Sequence, residues 1–415
     1  MSALEAKEQT ALSLDKRNLY RFPWSLNDNP IGWVEVTDLC DVRCKGCYRQ
    51  RIEGHKSLEA VKEEILFMKQ WRNIDNVSLA GGEPLLHPDI VDIVDFINQQ
   101  RVKPFILTNG KRLDRELLVE LKRAGLAGLS FHIDAQQGRQ GWVGKSELEL
   151  NELRQYYADM VWEVGGVPCG FSITVFRQNF NDIPDLLRWA LNNKGKVQSY
   201  TFITYRGALI EGMEYSVGDQ KVELNFDSLG YVTDDAPQDI SIKSTDVYRL
   251  IKTHFPEYEV AAYLGGTQTH TSFKWLANLS LCCEDEMLGS ISPITMELGQ
   301  TFHHLLYGTY VVKLRGVRMG KKIFWLAPFD RQIRHALGRL LRKPWHFFKP
   351  VYGLGIGIVQ APDVLPDGRV DMCDSCPDVT YFEGRLVNSC RLDEYRKYGE
   401  MITPTPSEEV IRELA

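Results

Sequence analysis

The 415-residue sequence has no long run of apolar residues: Val351 to Ala361, among its longest, is broken by glycines and falls well short of the ~20 residues that cross a bilayer. A spanning helix is not expected. It also lacks a strong excess of one charge, with 49 Lys and Arg against 55 Asp and Glu for a net charge of −6, so wholesale electrostatic binding of nucleic acid is not expected. Met1 to Arg21 is charged and has no apolar stretch leading to a small-residue cleavage site, which argues against a secretory signal and for a cytoplasmic protein. Internal repeats and low-complexity tracts are not evident. What is present suits a large buried core, since 44% of the residues are hydrophobic and 25% charged. Six of the nine cysteines fall in two tight clusters, and in a reducing compartment these read as metal ligands sooner than as disulfides.

From Ile31 to about Arg206 short β-rich runs alternate with longer helical patterns, the signature of β/α units around a parallel sheet. Strands are expected over Ile31–Thr37, Asn76–Ala80, Lys103–Thr108, Gly128–Asp134, Gly170–Phe176 and Ser199–Thr204. Leu58, Val61, Ile65 and Met68 share one helical face, and Asp114 caps a helix that Gly125 ends. Six units are too few for an eight-stranded barrel, so an α/β fold with a partial, open (β/α)6 TIM-like barrel is expected, its site at the C-terminal strand ends. The chain divides into an extension over 1–29, this core over 30–210, an acidic, loop-rich connection over 211–300, a basic segment over 301–350, a second cysteine region over 351–400 and a tail over 401–415.

Directly after the first strand, Cys40, Cys44 and Cys47 stand in a C-x3-C-x2-C spacing. Three soft thiolates can hold three corners of an iron–sulfur cube and leave the fourth iron open; a zinc knuckle completed by a distant residue is the competing reading. At the end of the next strand, Gly81-Gly82-Glu83-Pro84 lets backbone approach a ligand closely and adds a carboxylate acceptor for an amine. Together the two motifs resemble the radical S-adenosylmethionine (SAM) superfamily. That resemblance implies a [4Fe–4S] cluster on Cys40, Cys44 and Cys47, SAM chelating its open iron, and the SAM methionine group against Gly81, Gly82, Glu83 and Pro84. It also implies SAM contacts for Asn109, Ser130, His132 and Ser172, with a strand-end cap the competing role for the Ser and Asn positions, and for Arg206 at the methionine carboxylate, with a water-facing side chain the alternative. Many members carry an aromatic residue before the third cysteine; this sequence has Gly46 there, and Tyr48 is the substitute expected at the adenine.

Near the C-terminus Cys373, Cys376 and Cys390 form a C-x2-C-x13-C arrangement, with a hairpin turning at Glu383-Gly384 to bring the third cysteine back to the first two. Spacing alone favours a zinc ribbon. The arrangement resembles the auxiliary-cluster (twitch or SPASM) domain of radical SAM enzymes, which implies a C-terminal auxiliary-cluster domain with a second [4Fe–4S] cluster. Its fourth ligand is Cys282, Cys283 or an open position, and Cys169 reads as a core residue.

Within 301–350 eleven Lys and Arg face a single acid, Asp330, which caps a helix over Arg331–Arg342 that Pro344 terminates. Ile333, Ala336, Leu337, Leu340 and Leu341 share one face, flanked by Phe324, Trp325, Phe329, Trp345, Phe347 and Phe348. Such a face packs on the protein core or lies in a bilayer surface, which makes peripheral contact with the inner face of a membrane an expectation to carry. His303-His304 lacks spaced partners and reads as structural, and Gly353-Leu-Gly355-Ile-Gly357 lacks the last glycine of a dinucleotide fingerprint.

The resemblance implies an enzyme that receives an electron from a donor such as flavodoxin or ferredoxin, cleaves SAM reductively and abstracts hydrogen from a substrate C–H bond. A lipid or other amphiphile is the favoured substrate because of the basic apolar segment. A peptide is the alternative, weakened because no leader-binding winged helix is evident ahead of the core; a zinc-binding scaffold is the alternative of another class.

Overall fold

The computed structural model describes residues 13–49, 54–205, 212–224, 241–312, 318–365 and 367–407. Its strands are, in chain order, β1 (Tyr20–Arg21), β2 (Ile31–Thr37), β3 (Asn76–Gly81), β4 (Lys103–Thr108), β5 (Gly128–His132), β6 (Cys169–Val175), β7 (Val197–Thr204), β8 (Met213–Val217), β9 (Gln220–Lys221), β10 (Ala262–Gly265), β11 (Phe273–Cys283), β12 (Glu286–Ser290), β13 (Tyr352–Gln360), β14 (Asp363–Val364), β15 (Val370–Asp371), β16 (Val379–Phe382), β17 (Arg385–Asn388) and β18 (Thr403–Pro406). The helices are α1 (Leu58–Trp71), α2 (Ile90–Gln99), α3 (Arg115–Arg123), α4 (Asn151–Val164), α5 (Ile183–Asn192), α6 (Ser244–His254), α7 (Pro293–Tyr307), α8 (Arg331–Arg342) and α9 (Leu392–Tyr398).

Strands β2 to β7 lie side by side in sequence order, all parallel, with a helix crossing over between successive strands. This is the α/β partial barrel expected. All seven residues of β2 are buried, as a parallel strand covered on both faces requires. In α1 the Ser57 side chain accepts from Ala60 N, and Val61, Ile65 and Met68 are completely buried, each contributing about 1.5–3 kcal/mol. Asp114 caps α3 through Leu117 N at 2.8 Å, and Gly125 follows it at φ +98°.

The sheet continues past β7. Strand β13 pairs parallel with β7, β11 antiparallel with β13, and β10 antiparallel with β11, giving the order β1-β10-β11-β13-β7-β6-β5-β4-β3-β2 with β12 beside β11. The two ends of this path do not pair, so the barrel is open.

Here the structure differs from the loop-rich connection expected over 211–300. Its described residues supply β8 to β12, α6 and half of α7. Burial of Lys274, Asn278 and Ser280 inside β11 hides the strand pattern: Lys274 bonds Asp363 at 2.6 Å, and Asn278 bonds the Ser290 hydroxyl at 2.7 Å. The glycines of β13 stand against the neighbouring strand, where Gly355 and Gly357 face Ser199 and Thr201, so this run is a strand of the main sheet. Hairpin β16–β17 turns at Glu383 and Gly384, with φ of 46° and 81°, as its spacing predicts. No helix among the described residues is long and apolar enough to cross a membrane.

Candidate active site: two cysteine triads on one cavity

A cavity of about 1280 Å³ runs along the inner face of the sheet, from the starts of β2, β6 and β7 to the loops at the C-terminal ends of β2, β3 and β4. Cys40, Cys44 and Cys47 line one part of its wall, and Cys373, Cys376 and Cys390 line another. None of the six is in a disulfide.

The first triad rides the loop after β2, with Cys40 and Cys44 half-buried and Cys47 exposed. Backbone bonds tie that loop to its neighbours: Arg43 N to Gln137 O at 3.1 Å, Lys45 N to Gln136 O at 2.9 Å, Gly82 N to Thr37 O at 2.7 Å and Glu83 N to Leu39 O at 2.7 Å. The glycines of the second motif serve this contact. A Cβ at Gly81, whose φ is +115°, would collide with Thr37 O, and one at Gly82 with Leu39 O. Burial, together with nearby Asp134, Cys47 and Cys40, pushes the Cys44 thiol well above its ordinary value.

Glu83 is fully buried, and its carboxylate accepts from Thr108 Oγ1 at 2.5 Å, Asn109 N at 2.6 Å and Leu85 N at 3.1 Å. Burial raises its pKa to about 7, against the lowering effect of those three bonds. Pro84 opens a short turn over Pro84–Leu86. Asn109 reaches back to the cysteine loop, donating from Nδ2 to Asp41 Oδ1 at 3.0 Å. Ser130 lines the wall on β5, and next to it His132 sits 3.0 Å from the Ser172 hydroxyl, 3.3 Å from that of Thr174 and 2.9 Å from Asp134 Oδ2. Burial acts to raise Asp134, but hydrogen bonds from His132 and from the backbone of Gln136 and Thr174 outweigh it and hold the carboxyl below its ordinary range.

The second triad is gathered as the hairpin requires. Ser389 N donates to Asp378 O at 2.8 Å and so returns Cys390 to Cys376. Cys373 and Cys376 share a hydrogen bond that raises the first thiol and lowers the second, and burial pushes Cys390 up. Two buried arginines of the N-terminal half grip this region. Arg72 donates to the carbonyls of Cys376 at 2.6 Å, Pro377 at 2.9 Å, Ile31 at 2.7 Å and Leu26 at 2.8 Å. Burial lowers its pKa to about 10, opposed by Cys376 and Asp378. Arg49 bonds Glu35, Asp393 at 2.8 Å and the carbonyl of Ser389. A buried cation hydrogen-bonded by carbonyls, with Asp378 and Cys376 near it, is complementary to an anionic group beside Cys376, the charge that a metal centre on three thiolates would carry. The donor sets therefore fit soft metal centres, although among the described residues no three His, Cys, Asp or Glu side chains are gathered tightly enough to hold a single ion.

Residues 34–190 match the sequence model of the Radical SAM superfamily. In this core the chain is similar to the radical SAM superfamily. Among curated proteins it is 26% identical over 174 residues to the tungsten-containing aldehyde ferredoxin oxidoreductase cofactor-modifying protein of Pyrococcus furiosus, covering 39% of this chain and 48% of that one. It is 23% identical to the probable GTP 3',8-cyclase of Methanocaldococcus jannaschii over 46% of this chain and 64% of the relative. It is 27% identical to the PqqA peptide cyclase of Gluconobacter oxydans over 38% and 44%. The chain thus spans about half the length of the curated relatives it matches. The superfamily uses a [4Fe–4S] cluster and SAM.

The matched stretch brings Tyr48, Gly81, Gly82, Glu83, Asn109, Ser130, His132 and Ser172 to the cavity wall; Arg206 lies outside the described residues. One residue the sequence reading missed is Tyr205, just past β7. A Cβ on Gly46 would collide with its ring, so an aromatic group from the far end of the core occupies the side-chain space that Gly46 leaves open. Tyr48, the substitute expected, packs under the Arg49 guanidinium at 5.0 Å. Only the three-dimensional juxtaposition reveals Tyr205, because 159 residues separate it from Gly46. Cys282 and Cys283 are fully buried in two separate apolar clusters and are not among the residues lining the cavity. Cys169, on β6, is buried as expected.

The basic segment forms as read: Asp330 caps α8 through Ile333 N at 3.0 Å. Its apolar face, however, is spent on the protein, since Ile333, Ala336 and Leu340 are buried in the cluster around Leu281, Leu288 and Phe324. The helix itself is therefore no free amphipathic surface; the aromatics beside it are exposed instead, led by Trp325, Phe329 and Phe348. His303 bonds Thr309 O at 2.6 Å and His304 bonds Asp28 at 3.0 Å, structural roles for both.

Proposed function

We propose that this chain is a radical SAM enzyme in which Cys40, Cys44 and Cys47 hold the SAM-binding [4Fe–4S] cluster, and Cys373, Cys376 and Cys390 hold a second, auxiliary [4Fe–4S] cluster. In this reading 30–210 is the catalytic core and 351–400 carries the auxiliary site. When bound, the cluster and SAM supply a reducing electron and the 5'-deoxyadenosyl radical that takes hydrogen from a C–H bond. The observation that carries the reading is that both triads line one cavity, with the Gly81-Gly82-Glu83 backbone locked to the first triad's loop.

The chain's own residues bind and orient. Gly81 and Gly82 let the two loops close to hydrogen-bonding distance, and Glu83 fixes the ends of β3 and β4 to each other. Ser130, His132 and Ser172 offer hydroxyl and imidazole groups to the polar parts of SAM, and Tyr205 with Tyr48 offers aromatic surface to its adenine. Arg72 and Arg49 hold the second triad's backbone against the core.

The substrate is a lipid or other amphiphile, and the protein contacts a membrane peripherally through 301–350; a flavodoxin or ferredoxin supplies the electron. The exposed Trp325, Phe329 and Phe348, with Lys322, Arg331 and Arg342 that have no acidic partner among the described residues, support this. A peptide substrate is the second reading, favoured by the match to a peptide cyclase. The test is 5'-deoxyadenosine formed anaerobically from SAM by reconstituted protein with a strong reductant, with and without a total lipid extract. Stimulation by lipid supports the reading. Stimulation by peptide alone moves the substrate, and a colourless zinc protein that forms none overturns the chemistry.

A further inference from the structure

Helix α7 has two faces with different destinations. Ile294, Leu298, Phe302, Leu305 and Leu306 recur at helical spacing on its outer side, with exposures of 61%, 46%, 57%, 73% and 74%. Thr295, Met296, Gly299, Gln300 and His303, on the adjoining side, line the cysteine-bearing cavity. The helix carries one charged residue, Glu297. A stripe of five exposed large apolar side chains is more than a surface bathed only in water ordinarily presents.

The charge around it specifies what covers it. Asp330 accepts from Ser292 and Thr295 at the start of α7 while capping α8, so the two helices begin at one point. From there the chain bears Lys322, Arg331 and Arg342, none with an acidic partner among the described residues, interleaved with Trp325, Phe329 and Phe348 at 77%, 82% and 83% exposure. Cations and interfacial aromatics beside an apolar stripe match an anionic bilayer: headgroups meet the cations and acyl chains meet the stripe. Gly299 is exposed and also lines the cavity, and a Cβ there would touch nothing within 4 Å, so at that turn no side chain stands between stripe and cavity.

We infer that α7 is the membrane-seated wall of the cavity, and that the acyl chain of an anionic lipid passes from the bilayer across the Gly299 turn to the cysteine triads. This rests on the lipid reading proposed above and adds the route and the residues.

The test uses the reconstituted holoprotein and vesicles of phosphatidylcholine and phosphatidylglycerol, the latter carrying a photoreactive diazirine in its acyl chain. The expected results are co-flotation with the anionic vesicles and photolabel on Met296, Val312 or Met319 inside the cavity. L305E/L306E, at exposed positions, should lower vesicle binding about tenfold or more with an unchanged melting temperature. Gly299→Trp should keep flotation and lose the internal label. Flotation unaltered by L305E/L306E, label confined to the outer stripe in the unsubstituted protein, or a dimer that L305E/L306E converts to monomer would each overturn the inference; the last would make the stripe a self-association surface. Internal labelling with no lipid stimulation of 5'-deoxyadenosine formation would uphold the route and sink the lipid as substrate.

Discussion

The two cysteine triads share a cavity but are built in opposite ways. The first lies on a half-exposed loop fastened through backbone bonds that glycine alone permits, at Gly81 and Gly82. The second lies beneath a hairpin and is clamped by Arg72 and Arg49, both buried, from the other half of the chain. An accessible loop suits a centre that exchanges a diffusible ligand every turnover. A clamped one suits a centre that stays, with a fixed distance and a fixed charge.

The largest effect that would sharpen this contrast comes from the ligands. Replacing Cys40, Cys44 and Cys47 with alanine should abolish SAM cleavage and remove one cluster's iron, whereas replacing Cys373, Cys376 and Cys390 should remove the other cluster's iron and leave uncoupled SAM cleavage measurable. Iron content with product analysis decides it, and loss of SAM cleavage in both would erase the division of labour.

Arg72→Met comes next. It removes four hydrogen bonds that join Leu26, Ile31, Cys376 and Pro377, together with the buried cation. Chemical denaturation should show a loss of about 3–5 kcal/mol, and metal affinity at the second triad should fall roughly 10–100-fold with the first untouched. Equal weakening at both sites would contradict the clamp.

Gly82→Ala tests the open site. The added methyl meets Leu39 O, so the cysteine loop must shift; the expected cost is about 1–3 kcal/mol, with poor loading of the first cluster only. Isothermal denaturation with electron paramagnetic resonance of the reduced protein reads both.

The smallest effect is a pH slope. Glu83 is raised to about 7 in the folded chain from an ordinary 4.5, so the folded state holds that proton more tightly than the unfolded state. Stability should therefore fall as pH rises from about 4.5 to 7, by up to about 3 kcal/mol, and level off above. Glu83→Gln should flatten this stretch of the curve in the metal-free protein; an unchanged slope would assign it to other groups.

Much of this was legible in the chain. The six parallel strands carry continuous β-rich runs between capped helices, and both triads announce themselves by spacing. Strands β10 to β13 did not. Buried Lys274, Asn278 and Ser280 and the alternating Gly353, Gly355 and Gly357 imitate loop composition; Asn278 finds Ser290 on the next strand, while Asp363 and β7, the partners of Lys274 and of the glycines, lie far off in sequence. Tyr205 was hidden for the same reason. The α8 helix reads as amphipathic, but whether its apolar face is free depends on β12 and Phe324, which sequence periodicity cannot report. The outer stripe of α7 escaped notice because it straddles the acidic and basic segments.

The most direct test of two differently built centres on one cavity is electron paramagnetic resonance of the reduced, reconstituted protein before and after SAM. The account predicts two [4Fe–4S] signals, of which SAM shifts only the one lost on replacing Cys40, Cys44 and Cys47. A single signal, or a SAM-induced shift that survives that replacement, would contradict it.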